Sequence, residues 1–331
     1  MRVYFAPMEG ITGYLYRQAH HRCFGGVDRY YMPFLSPGQG HRFTRRELQD
    51  VLPEHNQGLR AVPQLLTKRS EDFLWCAGAL AGMGYGEVNL NLGCPSGTVA
   101  AKGKGSGFLA FPEVLDRFLE EIFAAAPVNI SVKTRLGVRD PDEFGPILEI
   151  YNKYPIAELT IHPRVQKDFY KNHVRLDHFA AALAACRCPV CYNGDLATVS
   201  DCDACSARFP AAQALMLGRG LIADPALARK LRGGPGASRE ELRAFHDGLY
   251  RSYAAAFGSE RNAMLRMKEV WFYLIHLFQD GERLSKRIKK AADPRDFEGA
   301  AAEIFQSLPL RADAQALWQP AESCFSALNA L

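Results

Sequence analysis

Eight short strand-like runs recur between residues 2 and 218, and most are followed by a helical pattern. The runs are residues 2–6, 29–34, 61–66, 87–92, 129–133, 158–162, 190–193 and 214–218, all short and rich in Val, Ile, Leu or Tyr. Helical patterns fall at 13–23, 45–52, 70–83, 112–125, 142–151 and 176–186. Ser70 ahead of Asp72 and Phe73, and Pro112 in a first turn, are helix-start signals. Strand–helix alternation repeated eight times predicts an α/β chain folded as a (β/α)8 TIM barrel. An open doubly wound sheet is the alternative. The eight-fold count and the lack of a Gly-x-Gly-x-x-Gly turn after the first run argue against it.

The texture changes after Leu231. Residues 232–238 (RGGPGAS) break the pattern, and helical stretches follow at 239–257, 260–279, 283–292 and 297–308. Ser238 and Glu241 form a capping-box signature for the first of them. The predicted organisation is a barrel over 1–235 and a small all-helical domain over 236–331. No stretch approaches the ~20 apolar residues of a membrane span. Nine cysteines with no signal-peptide pattern at residues 1–7 predict reduced thiols in the cytoplasm. A net charge of +4 permits a nucleic-acid partner without requiring one. A monomer is expected.

Chemistry in such barrels sits at the C-terminal ends of the strands. The fourth run ends in Asn91-Leu92-Gly93-Cys94-Pro95, ahead of Gly97, Lys102, Gly103, Lys104, Gly105 and Gly107. A cysteine between glycine and proline, before a basic glycine-rich loop, is placed to offer a thiol at a pocket mouth, and the loop is expected to move. The seventh and eighth runs end in Asn193-Gly194-Asp195 and Gly218-Arg219-Gly220. Either tripeptide alone reads as a turn. Together, at those two ends, they suit a phosphate: glycines let backbone N–H groups approach and Arg219 adds charge.

A phosphate there points to a phosphorylated cofactor, and flavin mononucleotide (FMN) suits the remaining ends. Its ring needs a donor and a positive charge for the electron-rich edge, which Lys133 and His162 can supply. Gln64 can make amide contacts, and Pro7, Met8 and Glu9 can pack beneath the ring. Cys188-x-x-Cys191 and Cys202-x-x-Cys205 have zinc-like spacing. The first lies by a strand, where positions three apart face opposite sides, and the second lies in a helix, so no metal is expected. Cys23, Cys76, Cys186 and Cys324 read as small core residues.

Ala-Pro-Met-Glu-Gly-Ile-Thr (6–12), Asn-Leu-Gly-Cys-Pro (91–95), Val-Lys-Thr-Arg (132–135), His-Pro-Arg (162–164), Asn-Gly-Asp and Gly-Arg-Gly, in that order, resemble the dihydrouridine synthases. These are flavin enzymes that reduce uridine in transfer RNA. The resemblance spans residues 3 to 232, and the helical tail matches the family's RNA-binding domain in position and length. It implies Cys94 as proton donor. It implies flavin-ring contacts from Pro7, Met8, Gln64, Lys133 and His162, and a ribityl and phosphate site at Asn193, Gly194, Asp195, Gly218 and Arg219. Asn91 and Arg135 would lie beside flavin and substrate, and NADPH would be the reductant. The sequence departs from the family pattern at Gly13, at Met32-Pro33-Phe34 and at Gly105-Ser106-Gly107, all around the mouth.

Saturating the 5,6 double bond of uracil takes a hydride at one carbon and a proton at the other. A free thiol with a pKa of about 8.5 holds that proton at neutral pH. A stacked base must turn out to reach a barrel mouth. Lys102, Lys104, Arg164, Lys167 and Lys171 lie on loops there and can hold backbone phosphates, or they form a solvated basic surface. Arg283, Lys286, Arg287, Lys289 and Lys290, behind Tyr250, Tyr253, Trp271 and Tyr273, read as an RNA-backbone face or as a solvated helix over core aromatics. The expected function is FMN-dependent, NADPH-driven reduction of uridine in RNA, with transfer RNA as substrate. Alternatives are a flavin reductase of ribosomal RNA or of a free pyrimidine, and an RNA-binding protein on the same fold.

Overall fold

A computed structural model describes residues 1–38, 40–316 and 318. Its strands are β1 (Arg2–Phe5), β2 (Arg29–Tyr31), β3 (Ala61–Val62), β4 (Gln64–Leu65), β5 (Glu87–Leu92), β6 (Asn129–Arg135), β7 (Leu159–His162), β8 (Val190–Asn193) and β9 (Ala214–Leu217). All pairings are parallel, in the order β3-β2-β1-β9-β8-β7-β6-β5-β4. The predicted run 61–66 is therefore cut in two at Pro63, which has no N–H to give a ladder. Its upstream half pairs with β2 and its downstream half with β5. The Pro63 carbonyl still accepts from Asn89 N–H at 2.8 Å. Leu35 bridges to Leu65, donating to the Gln64 carbonyl at 2.8 Å and accepting from Leu66 N–H at 2.8 Å, so the ring closes across the break.

Side chains alternate across the wall, as the period of a strand requires. Tyr4, Ala6, Tyr31, Val62, Cys191, Ala214 and Met216 form one cluster. Val3, Phe5, Leu90, Val132, Ile161 and Leu215 belong to a second, larger core. Glu158, buried just before β7, accepts from Tyr4 Oη at 2.9 Å and Tyr31 Oη at 3.3 Å, and burial pushes its carboxyl above the usual range.

The helices are α1 (Tyr14–Cys23), α2 (Arg45–Val51), α3 (Ser70–Gly82), α4 (Gly97–Ala100), α5 (Pro112–Ala125), α6 (Phe144–Tyr151), α7 (Leu176–Ala185), α8 (Val199–Arg208), α9 (Arg219–Ala223), α10 (Leu227–Lys230), α11 (Arg239–Phe257), α12 (Glu260–Leu274), α13 (Glu282–Lys290) and α14 (Pro294–Ser307). The Ser238–Glu241 capping box starts α11, and Gly258 at φ +61° ends it. The predicted helix 260–279 stops at Leu274, beyond which a 3-10 turn (Ile275–Leu277) follows. α11 packs on α1, with Phe245 edge-on to Tyr16 at 5.6 Å, and one apolar core runs from the barrel helices through the tail. Among the described residues no helix is long and apolar enough to cross a membrane.

Cys76 is buried as expected, whereas Cys23 and Cys186 are only half-buried; Cys324 lies outside the described residues. Tyr253 and Trp271 are core side chains. In the basic run, Arg283 pairs with Glu303, and Arg287 pairs with Asp296 at 3.2 Å and Glu303 at 2.8 Å. Both arginines thus tie α13 to α14, while Lys286, Lys289 and Lys290 stand exposed.

Candidate active site

One cavity at the C-terminal end of the barrel is lined by Pro7, Met8, Lys133, His162, Asn193, Gly194, Asp195, Gly218 and Arg219, with about 520 Å³ free of protein atoms. Strand ends spread over more than 200 residues converge there because all of them point the same way. A larger hollow of about 1050 Å³ opens at the N-terminal ends, by Arg29, Glu87 and Asn129; that end of a barrel ordinarily serves stability. Glu9 is a correction. The Pro7–Gly10 turn sends it outward, exposed and paired with Arg46 at 2.7 Å, and it does not line the cavity.

At the β8 and β9 ends, Asp195 holds two arginines. Arg164 grips it through both terminal nitrogens, and Arg219 Nη2 donates to Oδ1 at 2.8 Å. Two cations against one carboxylate leave net positive charge beside the cavity. A Cβ on Gly194, at φ +154°, would lie 2.8 Å from Val174 Cγ1, so this turn takes only glycine. Arg164 is a second correction. It is wholly buried, with Nε donating to the Asn172 carbonyl at 2.6 Å, and so cannot grip RNA phosphates at the surface. It also donates to His162 Nε2 at 3.1 Å, which leaves the ring proton on Nδ1. Burial, then Arg135, Arg164, Lys133 and Arg219, hold His162 well below the usual imidazole range, so it is neutral.

Lys133 lines this cavity. Burial above all, then Arg135, pulls its pKa down to about 8. Among the described residues its ammonium has no hydrogen-bond or ion-pair partner. The strands beside it carry a chain of buried amides. Asn89 Nδ2 donates to Ser131 Oγ (3.0 Å), Gln64 Nε2 donates to Asn89 Oδ1 (2.8 Å), and Asn91 Nδ2 donates to Gln64 Oε1 (2.7 Å). Asn91 Oδ1 then accepts from the N–H groups of Gly93 (3.1 Å) and Cys94 (2.9 Å). Each amide fixes the rotamer of the next, and the last fixes the backbone of the thiol.

Cys94 is half-buried, and burial pushes its thiol above the usual range despite Ser96, Arg135 and Lys133. It is therefore the neutral thiol at pH 7. The loop behind it is packed against the thiol turn. Residues 97–100 form α4, residues 105–110 form a 3-10 turn, and Gly105, Ser106 and Gly107 are buried. Ser106 N–H (3.1 Å) and Oγ (2.7 Å) both donate to the Cys94 carbonyl. Gly105, at φ +57°, has no room for a Cβ against that carbonyl, and a Cβ on Gly107 would fall on the Ala100 carbonyl. These glycines serve close approach.

Arg135 stands at the end of β6, but its donors go to backbone carbonyls: Nε to Gly93 (3.0 Å), Nη1 to Val165 (2.9 Å) and Nη2 to Phe169 (2.8 Å). It staples the thiol turn to the loop after β7, and burial pulls it down to about 10. Sequence reasoning missed Tyr170 on that loop. Its ring is 45% exposed, lines the cavity, and lies 5.3 Å from the Arg135 guanidinium and 4.8 Å from that of Arg219. An aromatic between Lys167 and Lys171 was the available signal. Lys102 is exposed. Lys104 donates to Ser36 Oγ at 3.4 Å and is lowered by burial and by Lys102 and Lys68. Lys68, which sequence reasoning also missed, completes a three-lysine cluster on the Cys94 side.

The family model for dihydrouridine synthases (Dus) matches residues 4–300. A protein named tRNA-dihydrouridine(16) synthase, from Cupriavidus necator, is 33% identical over 242 residues, covering 70% of this chain and 74% of that protein. One of the same name from Pseudomonas putida is 29% identical over 306 residues, covering 88% of this chain and 94% of that protein. Among solved structures, morphinone reductase is similar with a TM-score of 0.52 at 14% identity, over 72% of this chain and 87% of that one, a likeness of fold alone. The family match runs from within β1 into α14 and so takes in every later strand of the barrel and most of the helical tail; on that extent the chain belongs to the dihydrouridine synthase family.

Proposed function

We propose that this protein reduces a uridine of transfer RNA, at position 16, to 5,6-dihydrouridine, with FMN as its cofactor and NADPH as reductant. Position 16 rests on the names of the relatives most similar in sequence. The observation that carries the chemistry is a neutral thiol, Cys94, held at a strand end beside a cavity lined by Lys133, whose ammonium has no partner among the described residues.

The cavity suits FMN on its own terms. Lys133 and His162 line it, and among the described residues neither the Lys133 ammonium nor the His162 Nδ1 proton has a partner, which fits the electron-rich edge of an isoalloxazine. Arg219, aligned by Asp195, fits a phosphate at the other end. Bound there, the flavin supplies hydride equivalents drawn from NADPH. Cys94 holds a proton at Sγ and gives it to the uracil carbon next to the one reduced. Asn91 and the chain behind it keep that sulfur in place, and Arg135 keeps the thiol turn against the loop that carries Tyr170. Lys68, Lys102 and Lys104 offer charge to the RNA backbone, and the helices after residue 235 form the RNA-binding unit through Lys286, Lys289 and Lys290. The protein acts as a cytoplasmic monomer, where transfer RNA is available.

The test is to map dihydrouridine across total RNA from a strain lacking this gene and from its parent. Loss at position 16 of transfer RNA is expected. An unchanged map overturns the proposal, and loss elsewhere overturns the position. Purified protein should carry flavin absorbance; colourless protein that FMN cannot reconstitute overturns the cofactor.

A further inference from the structure

Two thiols that the proposed chemistry does not use lie together at the opposite end of the barrel. Cys186 and Cys188 sit on the connection from α7 into β8, with sulfurs 3.4 Å apart. Both are half-buried, unlike Cys76, Cys191, Cys202 and Cys205, which are buried. The backbone there is extended (φ −74°, ψ 135° at Cys186), so residues 186 and 188 share one side. The segment is also pinned. The Asn152 side chain accepts from Arg187 N–H at 2.9 Å and donates to the Ala185 carbonyl at 3.0 Å, bracketing Cys186, and Pro189 restricts the other flank. A hollow of about 410 Å³ opens beside Cys188, lined by Tyr151, Asn152, Tyr154, Arg187 and Pro189. Arg187 is exposed and, among the described residues, has no acidic partner.

We propose that Cys186 and Cys188 form a redox-active dithiol that exchanges with small anionic disulfides, the class to which oxidised glutathione belongs, and closes to an intramolecular disulfide. The pair is preorganised: a covalent S–S distance of about 2.05 Å needs the sulfurs to close by little more than 1 Å. Cys186 is the attacking sulfur. The two sulfurs share one hydrogen bond; with Cys188 as its donor, Cys186 ionises more easily, at about 7, while the same bond, burial and the nearby Glu158 push Cys188 up. The Cys186 thiolate attacks one sulfur of the small disulfide, forming a mixed disulfide and releasing one small thiolate. Cys188 then gives up its proton and attacks Cys186 Sγ, closing the ring and releasing the second small thiol. Two protein thiols are oxidised and one small disulfide is reduced to two thiols. Arg187, between the two cysteines, supplies the positive charge that favours an anionic reagent beside the pair.

The test uses the full chain, reduced, treated with oxidised glutathione, quenched with N-ethylmaleimide and mapped by peptide mass. The expected result is loss of two alkylatable thiols at 186 and 188, with that segment lighter by two hydrogens, and recovery with dithiothreitol. Cys188→Ser should stop at a glutathione adduct on Cys186. Alkylation of both thiols after treatment, or a wild-type adduct that persists without ring closure, overturns the proposal. Arg187→Gln should slow reaction with oxidised glutathione several-fold and leave reaction with neutral hydroxyethyl disulfide unchanged; equal rates with both reagents overturn the anionic preference.

Discussion

Lys133→Met should make the flavin-free protein more stable at neutral pH while destroying the cavity's affinity for flavin. In the folded chain the ammonium is buried with no partner among the described residues, and its pKa is about 8, against 10.5 for the free group. At pH 7 the lysine is charged in both states, so the folded state carries the cost of burying that charge. The difference in pKa corresponds to about 3 kcal/mol, an upper figure because Lys133 keeps some contact with cavity water. Between pH 8 and 10.5 the unfolded chain binds the proton more tightly than the folded one. Stability therefore rises with pH through that window as the penalty is relieved, by about 2 kcal/mol between pH 7 and pH 9.5. Other groups titrate there too, so the quantity to measure is the difference between wild type and variant. Urea unfolding of both flavin-free proteins from pH 7 to pH 9.5 supplies it. The variant should start more stable, and the gap should narrow by about 2 kcal/mol. Adding FMN should remove the slope from wild type, because an electron-rich edge beside the ammonium restores its pKa. Parallel pH profiles in the two flavin-free proteins would refute the reasoning, since they would mean that the ammonium is solvated or paired.

Cys94→Ala should keep flavin and lose most uridine reduction in single-turnover assays, and unchanged turnover would mean another acid gives the proton. Because burial raises the Cys94 pKa, the thiol is in its acid form below that value; single-turnover reduction should hold through pH 8.5 and fall only beyond it. Asn89→Ala leaves the Gln64 side-chain N–H and the Ser131 hydroxyl without their Asn89 partner, at about 1–3 kcal/mol for each unsatisfied group. It also frees Gln64 to flip, releasing Asn91 and the thiol turn; a misplacement of about 1 Å would lower turnover of the order of a hundredfold. Destabilisation with full activity would show that the amide chain does not position the thiol. Charge reversal at Lys286, Lys289 and Lys290 should weaken transfer-RNA binding and flatten its salt dependence; titrations at two salt concentrations that superimpose on wild type would make this face structural.

The alternation of runs and helices, the strand ends and the place of the thiol are written in local chemistry. A two-residue period, a proline in a first turn and a glycine before a cysteine each act over a few neighbours and can be read along the chain. The packing around the site acts over longer separations. Arg135 and Arg164 stand in motifs as cations beside a pocket. Only the fold brings the Gly93 carbonyl to one, across 42 residues, and Asp195 to the other, across 31, turning both into internal staples. The same holds for the break at Pro63, which the ring bridges through Leu35, and for Glu9, which the first turn aims at Arg46. An absent side chain looks alike in a sequence whether it gives freedom or room; at Gly105 and Gly107 the Cys94 and Ala100 carbonyls leave no space for a Cβ. What the sequence determined was which groups reach the end of the barrel. The tertiary structure decided which of them are already bound to the protein and which, like Lys133 and the Cys94 thiol, are left for chemistry, because a donor's partner is set by what the fold packs against it.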